Sequence, residues 1–343
     1  METMKRVVLN GPRDCALVDR AMPRAKDDFV VVKLKVIPMC TEYVDYRDGN
    51  VNEPMGHEAA GEVVEVAQPG KVAVGDRVVV MPGYWCGKCR HCMSGDYIHC
   101  ERGVDVAKVT GNEAGFDFYS EYVVQNDWML VPIPDGMSYE HASMACCGLG
   151  PAFNAMERMD VGGFDTVLIS GCGPVGLGAV INARYRGARV FCVARNQYRA
   201  EIARSLGAEE VLNPEDPATV DRLKELTDGY GPTKSVETTG QPMYMRLLMN
   251  ATRRRGHIAI VGEGGDFTFG LSDDMIRTGL TLHGIWHYSM QDIPDMMQMI
   301  AEVGDSLDKQ ITHTFPFARF EDAWKLQMTG QCGKILLYPE GDE

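Results

Sequence analysis

The sequence predicts an α/β protein in two parts, an antiparallel, barrel-like β region and a doubly wound parallel sheet. Three observations predict it. Short apolar runs punctuated by glycine and proline fill the first third of the chain. After Gly148, strand-like and helix-like stretches alternate, which is the pattern of parallel βαβ units. Cys86, Cys89, Cys92 and Cys100 crowd one short loop, too densely for unrelated free thiols.

The 343 residues suggest about two domains. With 45% hydrophobic and 24% charged residues, the chain can build a core of ordinary size, which excludes disorder as its main state. The net charge of −14 lacks the basic stripe that supplies most non-specific nucleic-acid affinity, so no nucleic-acid partner is expected. An anionic membrane surface would repel it as well. The opening METMKRVVLN has too short an apolar part for a secretory signal. The most lipid-like stretch, Val167 to Ala183, is broken by glycines and a proline. A soluble, cytoplasmic protein is expected.

The elements follow in order. Phe29 to Ile37, Ala59 to Ala67 and Asp76 to Pro82 read as strands of the first part. Thr166 to Ser170 is a continuous apolar run, as expected of a strand buried on both faces. A glycine-rich turn and a helix to about Arg186 come next. Ala188 to Ala194 is the following strand, and Asn196 to Ala208 is an amphipathic helix stopped by glycine. A strand at EVLN, a helix near Ala218 to Thr227 and a strand at KSVETTG continue the alternation. His257 to Gly262 and Leu280 to Trp286 read as the last strands.

The four clustered cysteines have the spacing C-x2-C-x2-C-x7-C, which suits a closed tetrahedral zinc site. An iron–sulfur cluster uses similar runs, but the Cys-Pro ending is missing and the fourth cysteine stands apart. GCGPVG fits G-x-G-x-x-G in the context that gives the pattern meaning, after a strand and opening a helix. Gly171 allows the tight turn, Gly173 lets the backbone approach a pyrophosphate, and Gly176 lets helix and strand pack closely. Pro174 and Val175 lie between them, at the helix N-terminus that would face the phosphates. About twenty residues on, an NAD site carries an acid for the ribose. Ala194, Arg195 and Asn196 stand there instead, with Arg199 one turn further. An available arginine and no carboxylate predict NADP(H) over NAD(H). His57, next to Glu58, and the separate Cys40 and Cys147 would make a Cys, His, Cys set with an open fourth zinc position, the catalytic arrangement.

In GHEAAGEVVEV, VGDRVVV, the four-cysteine lobe, GCGPVG, SLGAEEV and the tail ITHTFPFARFEDAWKLQMTGQCGKILL, the chain resembles the zinc-dependent medium-chain dehydrogenases, the alcohol and polyol dehydrogenases. The resemblance covers essentially the full length. It implies a GroES-like antiparallel β-barrel catalytic domain over residues 1–148 and 287–343, and a doubly wound parallel Rossmann domain over residues 149–286. It implies two zinc ions per chain. Cys40, His57 and Cys147 match the catalytic ligands, with Cys146 the neighbouring alternative. Glu58 matches a carboxylate that can approach that metal. Cys86, Cys89, Cys92 and Cys100 match the structural site. Lys334 matches a basic residue at the cofactor phosphates. By the same analogy the protein is a homodimer or homotetramer, and its substrate a small alcohol or carbonyl compound.

The chain departs from the family pattern at Cys40-Thr41-Glu42-Tyr43. Aligned without a gap, Glu42 takes the proton-relay position as general base and Asp45 a further relay position. With one deletion, Thr41 is the relay and Glu42 the carboxylate that supports the ligand histidine. The ungapped register is the expectation carried forward. Trp286, His287 and Tyr288, and likewise Phe116, Phe118 and Tyr119, either meet a polar substrate or simply pack. The expected activity is zinc-dependent hydride transfer between NADP(H) and a secondary alcohol or ketone, a polyol, cyclitol or sugar. The alternatives are a zinc-independent alkene or quinone reductase of the same fold, and a non-catalytic nucleotide-binding zinc protein.

Overall fold

The computed structural model describes residues 2–51 and 55–340. In chain order its strands are β1 (Thr3–Gly11), β2 (Asp14–Ala21), β3 (Phe29–Pro38), β4 (Ala59–Glu65), β5 (Arg77–Val80), β6 (Tyr122–Asn126) and β7 (Leu130–Pro132). Then come β8 (Thr166–Ser170), β9 (Arg189–Val193), β10 (Glu210–Leu212), β11 (Lys234–Glu237), β12 (His257–Ile260) and β13 (Thr281–Gly284). The chain closes with β14 (Ile311–Pro316) and β15 (Lys334–Tyr338). Among the described residues, no helix is long and apolar enough to cross a membrane.

The chain forms two compact units. The first comprises the residues up to Gly148, Ser289–Gly304, and the chain from Ile311 onward. The second comprises Leu149–Tyr288 and the short return Asp305–Gln310, a crossing that the sequence alone did not suggest.

In the first unit, β3 is the organising strand. Its VVVKLKVI run is buried at most positions, so it can be covered on both faces. It pairs antiparallel with β4, with β6 and with β15. The sheet order is β14-β15-β3-β4-β5-β7, with β6 beside β3. The barrel is not purely antiparallel, because β14 and β15 run parallel. Val32, Leu34, Ile37, Val63, Val78 and Trp324 lie in one buried core. β1 and β2 form a separate antiparallel hairpin. It reverses through Pro12-Arg13, where Arg13, rather than a glycine, takes the positive φ of 56°.

In the second unit all strands are parallel, in the order β10-β9-β8-β11-β12-β13. The chain leaves β8 toward β9 and β10 on one side, then returns to build β11 to β13 on the other. The order therefore reverses between β8 and β11. In an open α/β sheet, ligands bind at that switch point, beyond the carboxyl ends of the strands.

Candidate functional site

Among the described residues, two donor groups assemble in the first unit, and a dinucleotide-type turn in the second. The first donor group is the cysteine lobe. Its sulfurs lie 3.5 Å (Cys89–Cys92), 3.6 Å (Cys100–Cys86), 3.8 Å (Cys89–Cys100) and 3.9 Å (Cys86–Cys92) apart. A tetrahedron of sulfurs about 2.3 Å from a central zinc has edges of about 3.8 Å. A disulfide would bring one pair to about 2.05 Å. The lobe thus fits a closed four-sulfur zinc site. Backbone N–H of Lys88 pulls the Cys86 thiol down to about 6, and burial pushes Cys92 up to about 12.

The second group contains Cys40, His57, Glu58 and Cys147, with one donor atom of each within 4.8 Å of the others. Each is delivered by a local constraint. Cys40 follows the end of β3, and the N–H of the preceding Met39 donates to Ile335 O at 2.9 Å, which ties this segment to β15. His57 follows Gly56, whose φ is +82° and whose hydrogen faces the Tyr119 ring, so that a Cβ there would lie 2.5 Å from Cδ2. Only glycine lets the loop bring His57 in at this point. Cys147 stands in the turn before Gly148. Its neighbour Cys146 is fully buried and points its sulfur at Val80 O, 3.6 Å away, so Cys147 is the cysteine that joins the group.

Two thiols, an imidazole and a carboxylate at this spacing form a donor set suited to zinc. The hydrogen bond from Cys147 holds the Cys40 thiol well below its ordinary value, and the same bond pushes Cys147 well above it. Burial works to lower His57, but the Glu42 carboxylate and Cys40 outweigh it and hold the imidazole well above its usual range. Burial pushes Glu58 up to about 7.

The structure corrects the register at Cys40-Thr41-Glu42-Tyr43. Glu42 is buried, with Oε1 2.9 Å from His57 Nδ1. Its Oε2 accepts the Cys40 N–H at 3.0 Å and the Tyr119 hydroxyl at 3.4 Å. Both oxygens are engaged, so Glu42 is not a free general base. It supports the histidine and leaves Nε2 as the nitrogen available to a metal. This is the gapped register. Thr41 is exposed at the start of the helix Glu42–Asp48 and makes no side-chain capping bond. Asp45 lies one turn along that helix, where it accepts from Asn50 Nδ2 at 3.3 Å, and it is not in the donor group. The ungapped relay from Glu42 to Asp45 is therefore not assembled.

Lys334 is also placed differently from expectation. Its side chain is wholly buried, and Nζ donates to Glu58 Oε1 at 2.5 Å. Burial works to lower the ammonium, Glu58 outweighs it, and the net displacement is upward. An ammonium enclosed in this way is committed to the Glu58 carboxylate of the donor group, not to a cofactor phosphate.

One contributor to this site gave little warning in the sequence. Gln327 reaches across from the helix Phe320–Thr329 and donates to Cys40 O at 3.1 Å. Tyr119, fully buried and stacked on Trp324 at 5.5 Å, packs against the core rather than facing a ligand, and Phe118 is buried too. Tyr288 and His287 are also buried, whereas Trp286 is half exposed.

In the second unit, Gly171 follows β8 with φ +82°, and a Cβ there would press on Thr239 Cγ2 at 2.6 Å. A Cβ on Gly176 would collide with Gly171 O. Gly173 caps the helix Pro174–Tyr185, and a Cβ there would meet only Arg199 Nη1, at an ordinary contact distance of 3.9 Å, so the middle glycine is the least crowded of the three. Pro174 and Val175 open the helix half-buried. The arrangement fits a pyrophosphate approaching the backbone and the helix N-terminus. Beyond β9, Ala194 N–H donates to Leu212 O at 3.0 Å, and Asn196 Oδ1 caps the next helix by accepting from Arg199 N. Arg195 is half exposed, with Nη1 3.4 Å from Glu215 Oε1.

Comparison with known proteins agrees with this geometry. Residues 26–135 match the alcohol dehydrogenase GroES-like domain, and residues 174–302 match the zinc-binding dehydrogenase domain. The chain is 30% identical over 339 residues to an L-threonine 3-dehydrogenase of Caldanaerobacter subterraneus, covering 94% of this chain and 95% of that one. It is 28% identical to a sorbitol dehydrogenase of Bacillus subtilis, covering 98% of each. It superposes on the crystal structure of 2R,3R-butanediol dehydrogenase from Bacillus subtilis with a TM-score of 0.85 and 26% identity, covering 98% of this chain and 100% of that one.

Proposed function

The chain belongs to the zinc-dependent medium-chain alcohol and polyol dehydrogenases, oxidoreductases acting on CH–OH groups, and from that premise we propose that it moves hydride between NADP(H) and a secondary hydroxyl of a polyol, cyclitol or sugar. The observation that carries this reading is the convergence of Cys40, His57 and Cys147, with His57 oriented from behind by Glu42. These three would hold zinc through two sulfurs and Nε2, leaving a position for a substrate oxygen. When bound, zinc supplies the Lewis acidity that lowers a hydroxyl's pKa or polarises a carbonyl, and the nicotinamide supplies the hydride chemistry.

The chain's own residues do the rest. Glu42 fixes the tautomer and tilt of His57 and takes no proton from the substrate. The exposed hydroxyl of Thr41, next to Cys40, is the group that passes the alcohol proton toward solvent. Gly171, Gly173 and Gly176 seat the pyrophosphate. Arg195 and Arg199 pair with a ribose 2′-phosphate, and residues 194–196 carry no carboxylate to repel it. Threonine at C3, sorbitol and 2,3-butanediol, for which the relatives are named, each carry a secondary hydroxyl, which supports that class of substrate.

The test is a turnover screen of the zinc-loaded protein with NADP+ and NAD+ against alcohols, polyols, cyclitols and sugars. The expected result is turnover of a polyhydroxylated secondary alcohol with NADP+ preferred. Arg195→Ala should lower kcat/KM for NADP+ about tenfold, the scale of one charge-assisted hydrogen bond, and leave that for NAD+ unchanged. Equal use of both cofactors, unaltered in the variant, would overturn the cofactor assignment. Absence of turnover with both metals bound would overturn the activity.

A further inference from the structure

Glu58 is a buried carboxylate with one oxygen engaged and one not. Both its side chain and that of Lys334 are wholly inaccessible. Oε1 accepts the Lys334 ammonium and lies 4.0 Å from His57 Nε2. Oε2 has no hydrogen-bond partner among the described residues. The same carboxylate offers an atom within 4.8 Å of the donors of Cys40, His57 and Cys147. A carboxylate oxygen is an ordinary zinc ligand. Glu58 could therefore complete a closed four-donor set and remove the position a substrate oxygen needs.

Lys334 is anchored where it can prevent this. It is the first residue of β15, which pairs in parallel with β14 at Ile311 and antiparallel with β3 at Pro38, the strand end that delivers Cys40. Its ammonium is thus held by a strand rather than by a mobile loop. We propose that Lys334 is a positioning residue that holds Glu58 away from the metal and so keeps the fourth coordination position open. The proposal rests on the metal site assigned to Cys40, His57 and Cys147. Without the ammonium, a fully buried carboxylate is left uncompensated, which is strongly unfavourable. The nearest remaining positive charge is then the metal itself, and Glu58 moves onto it.

The test uses the full chain loaded with Co(II), with imidazole as an exogenous ligand and the visible absorption of the cobalt as readout. The unaltered protein should give a saturable spectral change. Lys334→Met should keep two metals per chain but bind imidazole at least about tenfold more weakly. Lys334→Met combined with Glu58→Gln should return imidazole affinity to within about threefold of the unaltered protein, because the invading ligand has gone. Lys334→Arg should behave like the unaltered protein. Unchanged imidazole binding in Lys334→Met would overturn the proposal and leave the open metal site intact. A loss not restored in the double variant would reduce Lys334 to a packing residue. If even the unaltered protein gave no imidazole response, there would be no open position to guard, and the metal site proposed for catalysis would fail with it.

Discussion

The two donor clusters of the first unit differ in what surrounds the donors more than in how many there are. In the cysteine lobe, four like sulfurs, four of whose pairs are 3.5–3.9 Å apart, all come from within one short stretch of chain. In the second cluster the donors come from three separate places along the sequence: Cys40, the adjacent pair His57 and Glu58, and Cys147. They are backed by partners: Glu42 behind His57, Lys334 on Glu58, and Gln327 on the Cys40 carbonyl. A homogeneous, self-contained set closes around a metal and staples the fold. On the reading proposed above, the mixed set with its oriented partners would hold a metal while Lys334 keeps one donor, Glu58, off it. The division of labour is therefore built into the residues one step beyond the ligands.

The largest expected effect comes from removing one donor of each cluster in turn. Cys147→Ala should remove one of two metals and bring turnover to background, while changing Tm little. Cys89→Ser should remove the other metal and lower Tm by about 10 °C, the scale of several kcal/mol in a protein this size. Metal content per chain and thermal melts of both variants decide it. The comparison fails if the stability loss follows Cys147 instead.

Next in size is Glu42→Gln. The amide keeps the shape but loses the charged acceptor for His57 Nδ1–H. Removing such an outer partner typically costs about 10- to 100-fold in metal affinity. Chelator competition should show that loss at the mixed cluster only, with the cysteine lobe unaffected. Retention of full metal affinity with turnover abolished would return Glu42 to the role of general base.

A pH experiment sharpens the contrast in the metal-free protein. Cys86, drawn down to about 6 by the Lys88 N–H, is mostly thiolate at pH 7, whereas Cys92, raised to about 12 by burial, is a thiol. Alkylation tracks the thiolate. The rate at Cys86 should be flat above about pH 7 and fall about tenfold per unit once pH drops below 6. Peptide mapping after brief iodoacetamide treatment reads each site. Equal labelling of Cys86 and Cys92 at pH 7 would mean that the lobe does not present one thiolate in advance of the metal.

The same comparison explains what could be read from the sequence. The cysteine lobe and the turn at Gly171, Gly173 and Gly176 were legible because each is local: spacing along the chain is spacing in space. Cys40, His57 and Cys147 could be grouped by residue type as a candidate ligand set, but only resemblance to a family matched their positions to ligands, since nothing in their separation along the chain predicts a meeting. The supporting contacts were beyond reach. Lys334 and Glu58 are 276 positions apart, and Gln327 and Cys40 are 287 apart, so barrel closure alone joins them. The register after Cys40 cannot be fixed by matching residue types, because the partner of Glu42 decides it. Glu42 stands two residues after Cys40, at the start of a helix, and from there its carboxylate reaches His57. The hairpin of β1 and β2 passed unread because Arg13, and not glycine, supplies its positive φ.

The smallest expected effect tests how far outward this organisation extends. Tyr119 donates to Glu42 Oε2 at 3.4 Å, a long bond, and that oxygen also accepts the Cys40 N–H at 3.0 Å. Tyr119→Phe removes only the hydroxyl and keeps the ring on Trp324. A weak hydrogen bond to a carboxylate that keeps its other partners should contribute about 0.5 kcal/mol, or roughly a twofold change in metal affinity at the mixed cluster. Chelator competition resolves a factor of that size when Tyr119→Phe and the unaltered protein are titrated in parallel. A tenfold loss would mean that the phenol, and not the Cys40 backbone, sets the Glu42 carboxylate in place. The control of His57 would then begin in the aromatic core around Trp324, one residue further from the metal than the contacts with His57 indicate.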